Sequence, residues 1–272
     1  MTKRYSPALQ NFLATQGSWK DFFDGGAIEI YSGTQPATAD LAPTGTLLVT
    51  LTSSAGTRTH EVRATGVVTL SVGAAGSDTV TTFTLDGHEI MGSTTAFDTS
   101  LTVTAAAICL KINRNPKNKW VVATNNGAVI TLTAHPGFGT LMNSAAITTG
   151  VGGNMIAAVT STTFGSGTGG GVAGVNQVNG LTMDYNAAAG MFTKDATQTW
   201  SGTTVGAGTQ TAGWFRYKGS VVDAGALDSS AVFMRFDGNI ATSGADMNSS
   251  STSMTNGALQ TLSTFEFTIP AI

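Results

Sequence analysis

Ala27-Ile-Glu-Ile-Tyr-Ser32, continued by Gly33-Thr-Gln-Pro36 and then by Thr46-Leu-Leu-Val-Thr-Leu-Thr52, is where the chain changes from helical to alternating periodicity. Alternation sends Ile28 and Ile30 to one face of a strand and Glu29 and Tyr31 to the other. Ser32 to Pro36 reads as a turn, and the run from Thr46 is apolar enough to sit centrally in a sheet. Two such strands open a β-sandwich.

Upstream of this point the chain reads as helical. Ser6 before Pro7 is a favoured start, and Ala8, Leu9, Phe12 and Leu13 make an apolar stripe that Gly17 ends. Ser18, with Asp21 three residues on, imitates a capping box and leads into Trp19, Phe22 and Phe23. Residues 1–26 are therefore expected to be a short N-terminal helical arm whose aromatic side chains need something to pack on.

Downstream, Val67–Val72 and Thr79–Leu85 read as strands, and Asp86-Gly87 signals a hairpin. Leu101, Ala105, Ile108, Cys109 and Ile112 then recur at helical spacing, capped by Thr99 or Ser100 and stopped at Asn115-Pro116, with Lys117 and Lys119 near the C-terminal end. Asn125-Asn-Gly127 turns a second hairpin. Residues 66–153 are thus expected to be an inserted α+β module, hairpin, helix, hairpin. Residues 154–180, with the run Phe164-Gly-Ser-Gly-Thr-Gly-Gly-Gly171, read as a glycine-rich connection, because such a segment orders only at a high entropic cost. Strand texture returns at Leu181–Tyr185, Gln198–Trp200, Gly213–Gly219, Ala231–Phe236 and Thr261–Ile269, with Asp237-Gly238 as a turn. The fold class that follows is mainly β: a β-sandwich, jelly-roll-like, formed by residues 27–65 and 181–272.

Composition excludes more than it identifies. Of 272 residues only 11% are charged, against about 25% in ordinary soluble domains. A net charge of −3 offers no field for nucleic acid, and no apolar run is long enough for membrane insertion by a helix. The basic start lacks the apolar region of a signal peptide. One cysteine and three histidines do not suggest a disulfide framework, a metal site or a cofactor.

Candidate catalytic groups are equally sparse. Gly165-Ser-Gly-Thr-Gly-Gly170 has the letters of a dinucleotide loop without the strand before it or the helix after it. His60, His88 and His135 lie in loop or edge contexts, and Cys109 falls on an apolar helical stripe. Glu29, Glu61, Asp184, Asp223 and Asp237 cannot be paired into a carboxylate dyad from sequence. Asp237-Gly-Asn239 and Asp246-Met-Asn248 resemble calcium loops but lack the downstream glutamate. In Trp214-Phe-Arg-Tyr217, alternation puts Trp214 with Arg216 and Phe215 with Tyr217 on opposite faces. One pair belongs to the core and the other is free for an interface or a sugar.

Several of these stretches together resemble a family. Gly26-Ala-Ile-Glu-Ile-Tyr-Ser-Gly-Thr-Gln-Pro-Ala-Thr-Ala-Asp40 and Thr44-Gly-Thr-Leu-Leu48 are similar to the opening of a group of virion structural proteins of tailed bacteriophages. Ala212-Gly-Trp-Phe-Arg216, Asp223-Ala-Gly-Ala-Leu-Asp-Ser-Ser230 and Phe236-Asp-Gly-Asn-Ile-Ala-Thr-Ser-Gly-Ala-Asp-Met247 are similar to its other end. The resemblance implies a structural component of the virion, not an enzyme. It would be an exterior accessory protein of capsid, neck, collar or tail, binding copies of itself and other virion proteins. Phe12, Trp19, Phe22, Phe23 and Trp214 are the residues expected at its assembly interface. The alternative is a receptor- or carbohydrate-binding module of a tail or fibre, in which Trp200 or Trp214 stacks on a glycan.

Overall fold

The computed structural model describes residues 3–15, 17–160, 163–166, 168–186 and 190–268. They form two units, Met1–Glu61 with Gln177–Ile272, and Val62–Asn176. The protein is mainly β, with several antiparallel sheets and few helices.

In the first unit a nine-stranded sheet runs, edge to edge, Arg4–Tyr5, Arg235–Ala241, Thr209–Lys218, Ala27–Ser32, Leu47–Ser53, Trp200–Thr203 and Leu259–Leu262. Met247–Asn248 and Ser253–Thr255 pair with the second and third of these. A three-stranded sheet, Met183–Asn186, Met191–Lys194 and Glu266–Thr268, contributes Met183, Phe192 and Phe267 to the same core. Helix α1 (Pro7–Thr15) starts at Ser6, whose hydroxyl accepts from the Leu9 N–H at 3.2 Å. Helix α2 (Trp19–Phe23) carries the capping box of Ser18 and Asp21.

The helical arm is not an appendage. Phe12, Phe22 and Phe23 lie in the core beside Ile28, Ile30, Phe215 and Tyr217, and Trp19 packs 4.6 Å from the Phe267 ring. Tyr217 closes the arrangement by donating its hydroxyl to the Phe23 carbonyl. Each buried phenylalanine adds about 1.5–3 kcal/mol by removing its ring from water, so the arm is held as core.

The second unit has two four-stranded antiparallel sheets. One contains Ile147–Gly152, Thr79–Leu85, His88–Glu89 and Thr95–Ala96, and the other Ile156–Val159, Thr65–Val72, Val129–Ala134 and Val121–Asn126. Helix α3 (Leu101–Arg114), capped by Ser100, buries Ala105, Ile108, Cys109 and Ile112 against them.

Three expectations need correction. The second unit reaches from Val62 to Asn176, past both ends of the expected module. It takes in most of the expected connection, because Ile156–Val159 supplies a strand and Thr65 bonds backbone to backbone with both Gly165 and Val172. Gly167 of that run lies outside the described residues. Thr261–Ile269 is not one strand: Leu259–Leu262 belongs to the nine-stranded sheet and Glu266–Thr268 to the three-stranded one, and Ile269 lies outside the described residues. Asp237-Gly238 is not a turn but the middle of Arg235–Ala241, paired with Arg216 and Phe215. Glycine is required there because a Cβ would stand 2.6 Å from the Phe215 ring.

Candidate functional site

Both faces of the strand Thr209–Lys218 are buried over its second half, Trp214 to Lys218, which a simple alternation does not anticipate. Phe215 and Tyr217 enter the core, while Trp214 and Arg216, on the other face, have no exposed surface either. That second face carries most of the first unit's buried charge. Arg216 donates Nε and Nη2 to the two oxygens of Asp237 at 2.7 and 2.8 Å. Arg235 donates the same way to Asp223, at 2.7 and 2.6 Å. Lys218 donates to Glu29 at 2.9 Å, and the Tyr31 hydroxyl donates to the other oxygen of Glu29. The Tyr31 and Trp214 rings stack at 4.5 Å, and the Arg216 guanidinium lies 5.4 Å from the Trp214 ring.

Electrostatics follows from this burial. Desolvation alone would push the Asp223 carboxyl up, but the bonds from Arg235 and the Gly225 N–H, with the Lys218 charge, hold it below its ordinary value. Burial pushes the Asp237 carboxyl up against the opposing pull of Arg216. The Tyr31 phenol is raised by burial and then by Glu29. A buried ion pair adds little net stability over well-packed apolar residues. What this set supplies is position, because its remaining donors hold two loops.

Those loops are residues 33–46 and 219–234. Arg216 Nη1 reaches the Leu41 carbonyl at 3.0 Å, and Arg235 reaches the carbonyls of Asp40 at 3.0 Å and Ala226 at 2.8 Å. The Asp228 N–H bonds to the Asp40 carbonyl at 2.9 Å and ties loop to loop. Asp228 in turn accepts from the N–H groups of Ser230, Val232 and Phe233. At the base, Gly213 sits where the ladder slips between Ala212 and Trp214, and a Cβ on it would lie 1.9 Å from the Gly33 oxygen.

The pattern of these loops is inverted. Asp223 and Asp228 are buried and Asp40 is half-buried, while Val222, Leu227 and Val232 are 61, 58 and 59% exposed and Leu41 is 39% exposed. The other exposed residues of both loops are alanine, threonine, serine and glycine, so no exposed residue there is charged. Charge faces inward and aliphatic surface faces out, on backbone fixed by bonds to buried guanidinium groups. Aliphatic side chains left exposed on two loops that are tied to each other and to a fixed frame mark this surface as a candidate interaction site.

The residues expected at an interface are elsewhere. Phe12, Phe22, Phe23 and Trp214 are buried and Trp19 is half-buried, so the arm and the tryptophan pack the interior instead of a neighbour. Trp200 is also buried, its Nε1 donating to Gln198, so neither Trp200 nor Trp214 offers a face to a sugar. Of the carboxylates, Glu61 accepts from the Ser220 hydroxyl and Asp184 from the Ala196 N–H. Asp246 and Asn239 bond reciprocally, side chain to backbone, and Asp237 faces Arg216, so both calcium-like stretches are engaged within the chain. Cys109 is buried on α3, and desolvation raises its thiol to about 11. Among the described residues no three metal-ligating side chains converge. The outward-facing Leu41, Val222, Leu227 and Val232 were not singled out by sequence, because acids and glycines around them read as ordinary turns. Comparison with protein-family models, with curated proteins and with solved structures gives no match.

Proposed function

We propose that the chain is a structural component of a tailed bacteriophage virion. In this reading it is an exterior accessory protein of the capsid, neck, collar or tail, and it works by binding copies of itself and neighbouring virion proteins. The observation that carries the assembly part is the inverted pair of loops, where Leu41, Val222, Leu227 and Val232 face solvent over buried Arg216, Arg235, Asp223 and Asp237. A catalytic or ligand-binding surface needs polar groups that converge outward, whereas these converge inward and leave an uncharged exterior suited to burial against another protein.

The resemblance to virion proteins supports the same reading from sequence. Residues 26–40, 44–48, 212–216, 223–230 and 236–247 include Glu29, Tyr31, Arg216, Asp223, Asp228 and Asp237, together with the Asp40 and Ala226 carbonyls that Arg235 holds. The low overall charge fits as well, because each charge buried in an assembly needs a partner.

Quantitative mass spectrometry of purified particles from the phage or prophage that encodes the chain tests the reading. Stoichiometric copies are expected. Symmetry makes the number informative, with about six or twelve marking a neck or tail ring and hundreds a capsid decoration. Particles of normal composition that lack the chain would overturn the proposal.

A further inference from the structure

The second unit carries a different surface, and it is charged. A groove of about 480 Å³ runs between α3 and the turn after His88–Glu89, with Met91, Leu110 and Pro116 along its floor and Lys111 and Arg114 on its rim. Its wall is fixed: Asn115 donates to the Ile90 carbonyl at 2.9 Å, and Lys111 donates to the Thr94 carbonyl. Leu110 is 48% exposed although it lies on a helix whose opposite side is core. Lys117 and Lys119 follow on exposed backbone immediately after the helix.

None of these four cations has a carboxylate partner among the described residues. Four carboxylates of the second unit are occupied by backbone instead. Glu89 accepts from the N–H groups of Phe83, Met91 and Gly92, Asp78 from Ala74 and Asn154, Asp86 from Ala146 and Asp98 from Thr99. From Thr99 to Met183 the sequence contains no aspartate or glutamate. The helix dipole accounts for basic residues in a last turn. It does not account for an apolar floor beside them, or for Lys117 and Lys119 beyond the helix.

We propose that this groove docks an acidic segment of a partner protein, with a leucine-like side chain on the floor of Met91, Leu110 and Pro116 and flanking carboxylates against Lys111, Arg114 and Lys117. Charge complementarity selects the partner. The charged residues that line the groove, Lys111 and Arg114, are both cations, and a nucleic acid would need a broader basic field than a chain of net charge −3 presents. The apolar floor requires the segment to bring a side chain as well as charge. This surface is separate from the loops of the first unit, and the proposal stands whether or not the chain belongs to a virion.

The test is fluorescence anisotropy of the full chain with a labelled peptide of repeating Glu-Leu-Asp. Three comparison probes are a peptide with alanine for leucine, one with lysine for the acids, and a single-stranded oligonucleotide. Binding of the first peptide is expected to weaken about tenfold on Arg114→Glu with Lys117→Glu, and similarly on Leu110→Asp. It should also weaken as salt rises from about 0.05 to 0.3 M. All three substituted side chains are exposed, so the variants should fold and melt cooperatively in circular dichroism, within a few degrees of the parent after the cost of about 0.3–1 kcal/mol for an acid near the helix C-terminus. Absence of binding, equal binding by the variants, equal binding of the alanine peptide, or an oligonucleotide bound as tightly as the peptide would each overturn the proposal.

Discussion

Asp223→Ala removes the partner of a guanidinium that has no route to water. Arg235 has no exposed side-chain surface, and the substitution takes away two charge-assisted bonds of 2.6 and 2.7 Å as well as the acceptor of the Gly225 N–H. Breaking a buried pair from one side costs about 3–5 kcal/mol, because the remaining charge is uncompensated. For a unit of this size that corresponds to a fall in Tm of roughly 6 to 20 °C. Three of the four tryptophans, Trp19, Trp200 and Trp214, lie in the first unit and Trp120 in the second, so tryptophan fluorescence of a Trp120→Phe background reports the first unit's melting. Adding Arg235→Met removes the stranded charge, and most of the lost stability should return. The loops should not recover with it, because the carbonyls of Asp40 and Ala226 lose their donor. Hydrogen exchange at the Asp228 amide, which bonds to the Asp40 carbonyl, should therefore stay faster than in the parent. A Tm for Asp223→Ala within about 1 °C of the parent, or full protection of Asp228 in the double variant, would refute the idea that buried charge positions these loops.

Four further outcomes follow from the same packing. Truncation before Ala27, or Phe23→Ala alone at about 3–5 kcal/mol, should unfold or strongly destabilise the first unit in circular dichroism, and a truncated chain that melts like the parent would contradict the placement of the arm in the core. Gly213→Ala should lower Tm by several degrees, since the new Cβ meets the Gly33 oxygen at 1.9 Å, and a neutral effect would mean that the bulge yields freely. Cys109, buried and raised to about 11, should react with a thiol reagent only on unfolding, and rapid labelling of the native chain would contradict its place on the buried side of α3. Asp223 is held below its ordinary value, so its contribution is complete above the unfolded value of about 3.9 and is lost as pH falls through the lower folded value. Asp223→Asn should accordingly flatten the acid limb of the stability profile, and an unchanged limb would count against the pairing.

How much of this was legible in sequence depended on whether the signal was local. The strand at Ile28–Tyr31, the capping box of Ser18 and Asp21, the Asp86-Gly87 hairpin and the stripe of α3 all rest on neighbours within a few residues, and all are present. The ion pairs are not local in that sense. Arg216 and Asp237 meet only because two strands pair in one register, and the letters Asp-Gly at 237–238 suggest a turn wherever their surroundings are unknown. Aromatic residues on a short arm looked like an interface because sequence does not reveal that the core lacks a cover there. Phe22 and Phe23 are that cover. The loop residues escaped notice for the opposite reason. Polar residues are ordinarily read as facing water, and here Asp223 and Asp228 face inward while Leu227 faces out.

The central claim is that the outer face of loops 33–46 and 219–234 is where the chain meets its neighbours in a particle. Hydroxyl-radical footprinting by mass spectrometry, on the free chain and on intact particles, reads that directly at Leu41, Val222, Leu227 and Val232. The account predicts that all four label in the free chain and that their labelling falls sharply in the particle, while Leu141 of the second unit, 78% exposed, serves as the internal reference. Labelling of the four that is as strong in particles as in the free chain would contradict it.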